Sequence, residues 1–355
     1  MATPQEILEA LKQVRYPGYS RDIVSFGIVR DIEIATAGVT VTLALANVRS
    51  EAVDEISRGV RDVVRDLTGA AQIDIVIQEP EKPKPAAPAK TPAIPGIRHV
   101  VAVASGKGGV GKSTVAVNLA LALRGLGQRV GLLDADVYGP SLPLMLGLDE
   151  RPQSNAQERI MPLERHGVKV ISLGLFIQPG QPVIWRGPMI TKLLTQFLRE
   201  VDWGPLDVLL LDLPPGTGDA QLTITQQAPL TGGVIVTTPQ DVALLDVQRG
   251  ITMFQQVNTP VLGVVENMSF HLCPGCGAQA DIFGHGGGRR MAEELHIPFL
   301  GEVPLVRAIR ESMDAGQPIV AAQPDSPEAQ AFSAVARRVL DAIATHGEQA
   351  LPMVH

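Results

Sequence analysis

The chain has 355 residues, 45% of them hydrophobic and 19% charged, which is enough apolar material for one large core or two smaller ones. A formal net charge of -7 and a pI near 5.5, with no basic tail or stripe, argue against a nucleic-acid partner held by phosphate neutralisation. No apolar run approaches the ~20 residues of a membrane span, the start MATPQEILEALKQ has no basic and apolar leader, and two cysteines cannot frame a chain of this size, so a cytoplasmic protein with no membrane partner is expected.

Thr3-Pro4-Gln5-Glu6 has the form of a capping box with proline at the first helical position, which predicts a helix from there to about Val14. "IVSFGIVRDIEIA" and "VTVTLALANV" are rich in β-branched residues and separated by Ala37-Gly38, the pattern of a hairpin. Val53, Ile56, Val60, Val63, Val64 and Leu67 recur at helical spacing, and "AQIDIVIQ" alternates like a half-buried strand. Residues 1–79 are therefore expected to form a small α+β domain of order α-β-β-α-β. The tract "EPEKPKPAAPAKTPAIPG" that follows has six prolines and little to bury, so 80–96 reads as an extended linker and the domain boundary.

From residue 97 to 355, short apolar runs recur between helical segments: "HVVAVAS", "RVGLLDAD", "VKVISLG", "LDVLLLDLPPG", "GGVIVTTPQ", "PVLGVVENMS" and "PFLGEVPL". Strands apolar throughout are covered on both faces, so the expected fold is α/β, a doubly wound, mainly parallel sheet with polar residues gathered at the strand ends where ligands bind. Gly106 to Ser113 fits G-x-x-x-x-G-K-[ST] between an apolar strand and a helix with Val115, Leu119, Leu123 and Leu126 along one side. Gly106, Gly108, Gly109 and Gly111, with Val110, let backbone N–H groups turn toward phosphates at the positive end of that helix. Lys112 is placed to reach the phosphates, Ser113 to hold Mg2+, and Thr114 to add a contact. Asp212 closes another strand and can hold a water on Mg2+, and "LPPGTGD" after it suits a loop that rearranges around a γ-phosphate. Asp134 and Asp136 end a further strand. No N-K-x-D signature is present, which favours ATP over GTP. For Lys107, spacing alone does not separate a functional lysine from a solvated one.

Both cysteines lie in "HLCPGCGAQADIFG". Pro274, Gly275 and Gly277 favour a knuckle turn that aims N–H groups at thiolates over the helix N-terminus of a redox pair, and that turn suits metal ligation. A closed zinc or iron-sulfur site needs four ligands, of which Cys273 and Cys276 supply two. Either His271 and His285 complete a zinc site within one chain, or two chains each donate both cysteines to a [4Fe-4S] cluster about a two-fold axis.

"KGGVGKST" resembles the deviant Walker A motif of the MinD/ParA and nitrogenase iron-protein superfamily of P-loop NTPases. That resemblance implies that Lys107 reaches the nucleotide of a facing subunit, that Asp136 orients the attacking water with Asp134 in support, and that Asn267 of "VVENMS" reads adenine. "SGKGGVGKST", "DADVYGPSLP", "WRGPM", "LPPGTGD", "VVENMS", "CPGCG" and "PFLGEVPL", in that order over about residues 97–345, resemble the Mrp/NBP35 (ApbC-type) family of iron-sulfur cluster carriers. The first 80 residues are similar to the MIP18 (DUF59) domain. The resemblance implies a homodimer that receives a labile [4Fe-4S] cluster from assembly factors at Cys273 and Cys276 and passes it to apo-proteins. It also implies ATP binding and slow hydrolysis, with Lys107, Lys112, Asp136 and Asp212 as the catalytic groups. The chain lacks the cysteine-rich N-terminal extension of some relatives, and its N-terminal unit has no cysteine, which makes that unit a docking or regulatory module rather than a ligand donor. Two rivals are a zinc-stabilised P-loop ATPase and a MinD/ParA-type positioning or partition ATPase. The latter should carry a basic amphipathic C-terminal helix or basic patches, whereas this chain ends "THGEQALPMVH".

Overall fold

In the computed structural model the described residues are 2–15, 22–25, 28–35, 38–44, 50–70, 72–78, 92–136, 139–176, 187–216, 218–273 and 275–349. The turn at Ala37, the proline tract up to Thr91, Trp185-Arg186 of the WRGPM motif, Thr217, Pro274 and the residues after Gln349 lie outside them. The chain divides into two compact units, Met1–Ala87 and Pro88–His355.

In the first unit, helix α1 (Pro4–Ala10) starts at the capping box: the Thr3 hydroxyl accepts the Glu6 N–H at 3.3 Å, and the Glu6 carboxylate accepts the Thr3 N–H at 2.8 Å. The helix tightens into a 3-10 turn over Leu11–Gln13. Strands β1 (Val29–Ala35) and β2 (Gly38–Ala44) pair antiparallel, and after helix α2 (Ser50–Thr68) strand β3 (Ile73–Gln78) joins parallel to β2. β1 begins at Val29 rather than near Ile23 because the Asp22 carboxylate accepts the N–H groups of Val24 and Ser25, at 3.0 and 2.7 Å, and diverts the chain into a turn. Ile7, Leu11, Ile23, Val41, Leu43, Ile56, Val60 and Val64 close the core of this unit.

The second unit runs β4 (Ile97–Ala104), α3 (Lys112–Gly125), β5 (Val130–Asp134), α4 (Leu142–Leu146), β6 (Leu163–Arg165), β7 (Val168–Ser172), α5 (Gly187–Arg199), β8 (Leu206–Asp212), α6 (Asp219–Gln227), β9 (Gly232–Thr237), α7 (Asp241–Gln256), β10 (Val261–Asn267), a small hairpin of β11 (His271–Leu272) and β12 (Gln279–Ala280), α8 (Gly287–Glu294), β13 (Phe299–Val303), α9 (Arg307–Asp314), α10 (Ile319–Ala322) and α11 (Pro327–Gln349). The main sheet has the order β13-β10-β9-β4-β8-β5-β7-β6 and is parallel except for β6, an edge strand that the apolar runs did not predict.

Successive residues of the central strands enter opposite cores: Val101, Val103, Val208 and Leu210 one, Ala102, Ala104, Leu209 and Leu211 the other. This two-sided burial is why the strands read as unbroken apolar runs. Helix α3 differs from its predicted single apolar side. Residues Val115 to Leu123 are all buried, since Phe332, Val335, Ala336 and Val339 of α11 cover the face turned away from the sheet. Because the strands are parallel, Ala104, Asp134, Ser172, Asp212, Thr237 and Asn267 all end at one edge of the sheet.

Candidate functional site

At that edge the chain leaves β4 and turns into α3. Gly109 and Gly111 have φ of 83° and 79°, the left-handed conformation that glycine adopts without strain, and Gly111 is the N-cap of α3. A Cβ at Gly106 would overlap the backbone of Asp246 on α7, and one at Gly111 would overlap the Asn267 amide. The loop is tied in place by three bonds: Ser105 Oγ to the Lys107 carbonyl at 3.0 Å, Gly216 N–H to the Ser105 carbonyl at 3.0 Å, and Asn267 Nδ2 to the Val110 carbonyl at 2.8 Å. A cavity of about 200 Å³ opens over the loop. Lys107, Gly108, Gly109, Gly111, Lys112, Ser113, Thr114 and Asp136 line it, with Met145 and Pro215. The backbone N–H groups of a helix N-terminus at its floor make it an anion cradle. A larger groove of about 540 Å³ between α6 and α7 holds none of the predicted site residues, so size does not select the site.

Lys112 and Asp212 are both buried, and the Lys112 ammonium donates to Asp212 Oδ1 and, at 3.2 Å, to Ser113 Oγ. Asp212 Oδ2 is buried and has no hydrogen-bond partner among the described residues. An orphaned carboxylate oxygen beside a serine hydroxyl under an anion cradle fits Mg2+ or a water in its shell. Burial pushes the Asp212 pKa up, while Lys112 and the Ser113 hydroxyl oppose that rise. On the adjacent strand Asp134 lies in register with Asp212, and also with Ser172 of β7. Its Oδ2 accepts the Ser172 hydroxyl at 2.8 Å and the Leu142 N–H at 3.4 Å, and its Oδ1 accepts the Asp136 N–H at 3.1 Å. Burial first, and then the nearby Asp212 carboxylate, push the Asp134 pKa up to about 7. Asp134 thus orders the segment that carries Asp136, whose Oδ1 accepts the Gly139 N–H at 3.2 Å.

The cysteines lie apart from this cavity, on the β11–β12 hairpin. Cys273 N–H donates to the Ala278 carbonyl at 2.9 Å, Gly277 N–H donates to the Cys273 carbonyl at 2.8 Å, and Gly277 has φ of 71°, which closes a knuckle. N–H groups of Gly275 and Cys276 point at the Cys273 sulfur and hold its thiol below the usual range. Both thiols are free. Each of the two candidate histidines has one ring nitrogen engaged: His271 Nδ1 bonds the Leu305 carbonyl at 2.8 Å, and His285 Nε2 faces Glu302 at 3.2 Å. Among the described residues, the one set of three ligand-type side chains close enough to share a metal is Glu266, His285 and Glu302, and it includes neither cysteine. Glu266 in that set is spent on the Ser269 hydroxyl and on the N–H groups of Gly286 and Gly288, and Glu302 on Arg289.

Residues 96–340 match the family described as NUBPL iron-transfer P-loop NTPase, and residues 4–75 match the family described as iron-sulfur cluster assembly protein. The chain belongs to the NUBPL iron-transfer P-loop NTPase family. It is 44% identical over 344 residues to the iron-sulfur cluster carrier protein of Synechocystis sp., a match covering 96% of this chain and 97% of that one. The iron-sulfur cluster transfer protein NUBPL of Dictyostelium discoideum is 52% identical over 250 residues, covering 70% of this chain and 77% of that one. Among solved structures, a nucleotide-binding protein from Archaeoglobus fulgidus in complex with ADP superposes with a TM-score of 0.59 at 39% identity, covering 67% of this chain and 92% of that one. MinD of Pyrococcus furiosus, at 24% identity and a TM-score of 0.53 over 68% of this chain and 98% of its own, shares the fold.

Of the residues around the loop and the adjoining cavity wall, sequence reasoning did not single out Ser172, Asp246 or Val306. Ser172 was legible, since it ends an apolar strand as Asp134 and Asp212 do. Asp246 and Val306 carry no local signal, and Pro304-Leu305 was legible only as the end of the run PFLGEVPL, because the packing of α7 and β13 is what brings them to the site.

Proposed function

We propose that this NTPase is a cytoplasmic iron-sulfur cluster carrier that works as a homodimer, binds and hydrolyses ATP, and passes a [4Fe-4S] cluster from assembly factors to apo-proteins. The observation that carries the reading is the knuckle at Cys273 and Cys276. It offers two sulfurs, with N–H groups favouring the thiolate of one, and no third ligand from its own chain among the described residues. Pairing two knuckles supplies the four thiolates that a [4Fe-4S] cluster takes. The names of the relatives support the same cargo.

The cavity over residues 105–114 would take the phosphates. Backbone N–H groups from Gly108 to Thr114 bind them, Lys112 neutralises charge at the β- and γ-positions, and Lys107, on the rim of the same cavity, extends toward the nucleotide of a facing protomer. Ser113 and Asp212 would hold Mg2+, which supplies charge neutralisation when bound. Asp136 orients a water for in-line attack on the γ-phosphorus, giving ADP and phosphate, and Asp134 with Ser172 keeps Asp136 in place. Asn267 and the adjoining pocket take adenine. Residues 1–79 serve as a docking or regulatory module joined by the 80–96 linker to the 97–355 ATPase domain.

Anaerobic reconstitution with iron and sulfide tests the reading. It predicts about four irons per two chains, broad absorption in the visible, and loss of both in Cys273→Ala. A colourless protein that retains zinc in its place would overturn it.

A further inference from the structure

Beside the phosphate cavity lies a second cavity of about 200 Å³, and the two share Gly111, Thr114 and Met145. Its far wall is Asn267 and Met268 from the end of β10 together with Pro304, Leu305 and Val306, which follow β13. The proposed function places the nucleotide base here, and the inference rests on that reading. The chain that leaves this wall at Met268 reaches Cys273 directly. Along the way it is stitched to the other half of the wall: Ser269 N–H donates to the Val303 carbonyl at 3.0 Å, and Leu305 N–H donates to the Phe270 carbonyl at 2.7 Å. The third stitch is His271 Nδ1 to the Leu305 carbonyl at 2.8 Å, in which the ring nitrogen is the donor because a carbonyl only accepts.

His271 is also the first residue of the cysteine hairpin. It pairs with Ala280, Leu272 pairs with Gln279, and Cys273 N–H bonds the Ala278 carbonyl. Both backbone polar groups of Leu305 are therefore bonded to the adjacent residues Phe270 and His271, where the chain enters the knuckle hairpin, while Leu305 itself lines the base cavity. We propose that His271 is a positioning residue that couples the nucleotide pocket to the cysteine knuckle within one protomer: a base packed against 304–306 orders the Leu305 carbonyl, and His271 transmits that order to the hairpin. By thermodynamic reciprocity, cargo that orders the knuckle tightens nucleotide binding by the same factor. Of the three stitches only this one comes from a side chain, so substitution removes it without touching the backbone.

Hydrogen exchange of the hairpin amides in 271–280, read with and without ADP and Mg2+ on the full-length protein, tests the coupling without any metal cargo. Exchange there proceeds through local opening, so ordering slows it. The expected result is that ADP slows hairpin exchange by about fivefold or more in the wild type, by less than about twofold in His271→Phe, and by about the wild-type factor in His271→Asn, whose amide nitrogen takes the place of Nδ1. ADP affinity, measured in parallel, should stay within about twofold across the three, and slowed exchange in α3 should be common to all. Should His271→Phe fail to fold, His271→Gln, which displaces the donor by one methylene, takes its place. Undiminished protection of the hairpin in the Phe or Gln variant overturns the proposal, as does ADP binding that leaves the wild-type hairpin unchanged, and both outcomes spare the nucleotide reading. Absence of ADP binding in the wild type would overturn both.

Discussion

Lys112 and Asp212 meet where water is nearly excluded, so each is costly without the other. Lys112→Ala should abolish ATP turnover and lower stability by about 3–5 kcal/mol, the usual penalty for stranding one buried charge. Thermal unfolding of Lys112→Ala with Asp212→Asn should recover much of that loss while turnover stays absent, which separates the pairing from the chemistry. Asp134 gives a dependence on pH whose sign follows from its raised pKa. The folded state binds a proton between the ordinary value of 3.8 and about 7 that the unfolded chain does not, so this residue's contribution to stability is complete below 3.8 and lost as pH rises through about 7. Denaturant titrations from pH 4 to 8 should therefore show the wild type weakening relative to Asp134→Asn by up to about 4 kcal/mol. A constant difference across that range would contradict the assignment. These residue types were legible in the sequence as polar groups ending apolar strands. Their partners were not, since the bond from Ser172 to Asp134 depends on which strands become neighbours.

The loop between β4 and α3 works as an element because its glycines face other elements closely. Gly111→Ala combines a left-handed φ, about 1–2 kcal/mol against an L-residue, with an overlap on Asn267 that pushes away the amide bracing Val110. The expected outcome is at least about tenfold weaker ADP binding with the fold retained, measured by titration alongside circular dichroism. Element recognition from the sequence succeeded where burial is two-sided or where a cap is explicit, as at β8 and at the Thr3 box of α1. It failed at β6, three residues with a mixed burial pattern at the sheet edge, and it underestimated α3, whose outer face is covered by a helix more than two hundred residues later in the chain.

At the scale of the molecule, the two units have separate cores, one centred on Ile56 and Val60 and the other on the parallel sheet. Calorimetry should resolve two transitions. Ile56→Ala costs about 2–5 kcal/mol and should shift only the one belonging to residues 1–87, leaving the transition that ADP raises in place. A single transition moved by both would mean that the units unfold together. The doubly wound architecture was legible because seven apolar runs all became strands of one sheet. The wall of the cavity beside the phosphate loop was not, because it joins the ends of β10 and β13, which only the sheet order makes neighbours.

The short stretch from Asn267 to Cys273 sets a limit on length. Fully extended, a chain gains at most about 3.6 Å per residue, which keeps those two positions within roughly 22 Å of each other. A coloured or paramagnetic cargo at the knuckle would then quench a fluorescent adenine analogue and broaden its proton resonances, so occupancy of one site can be watched from the other in real time without labelling the protein.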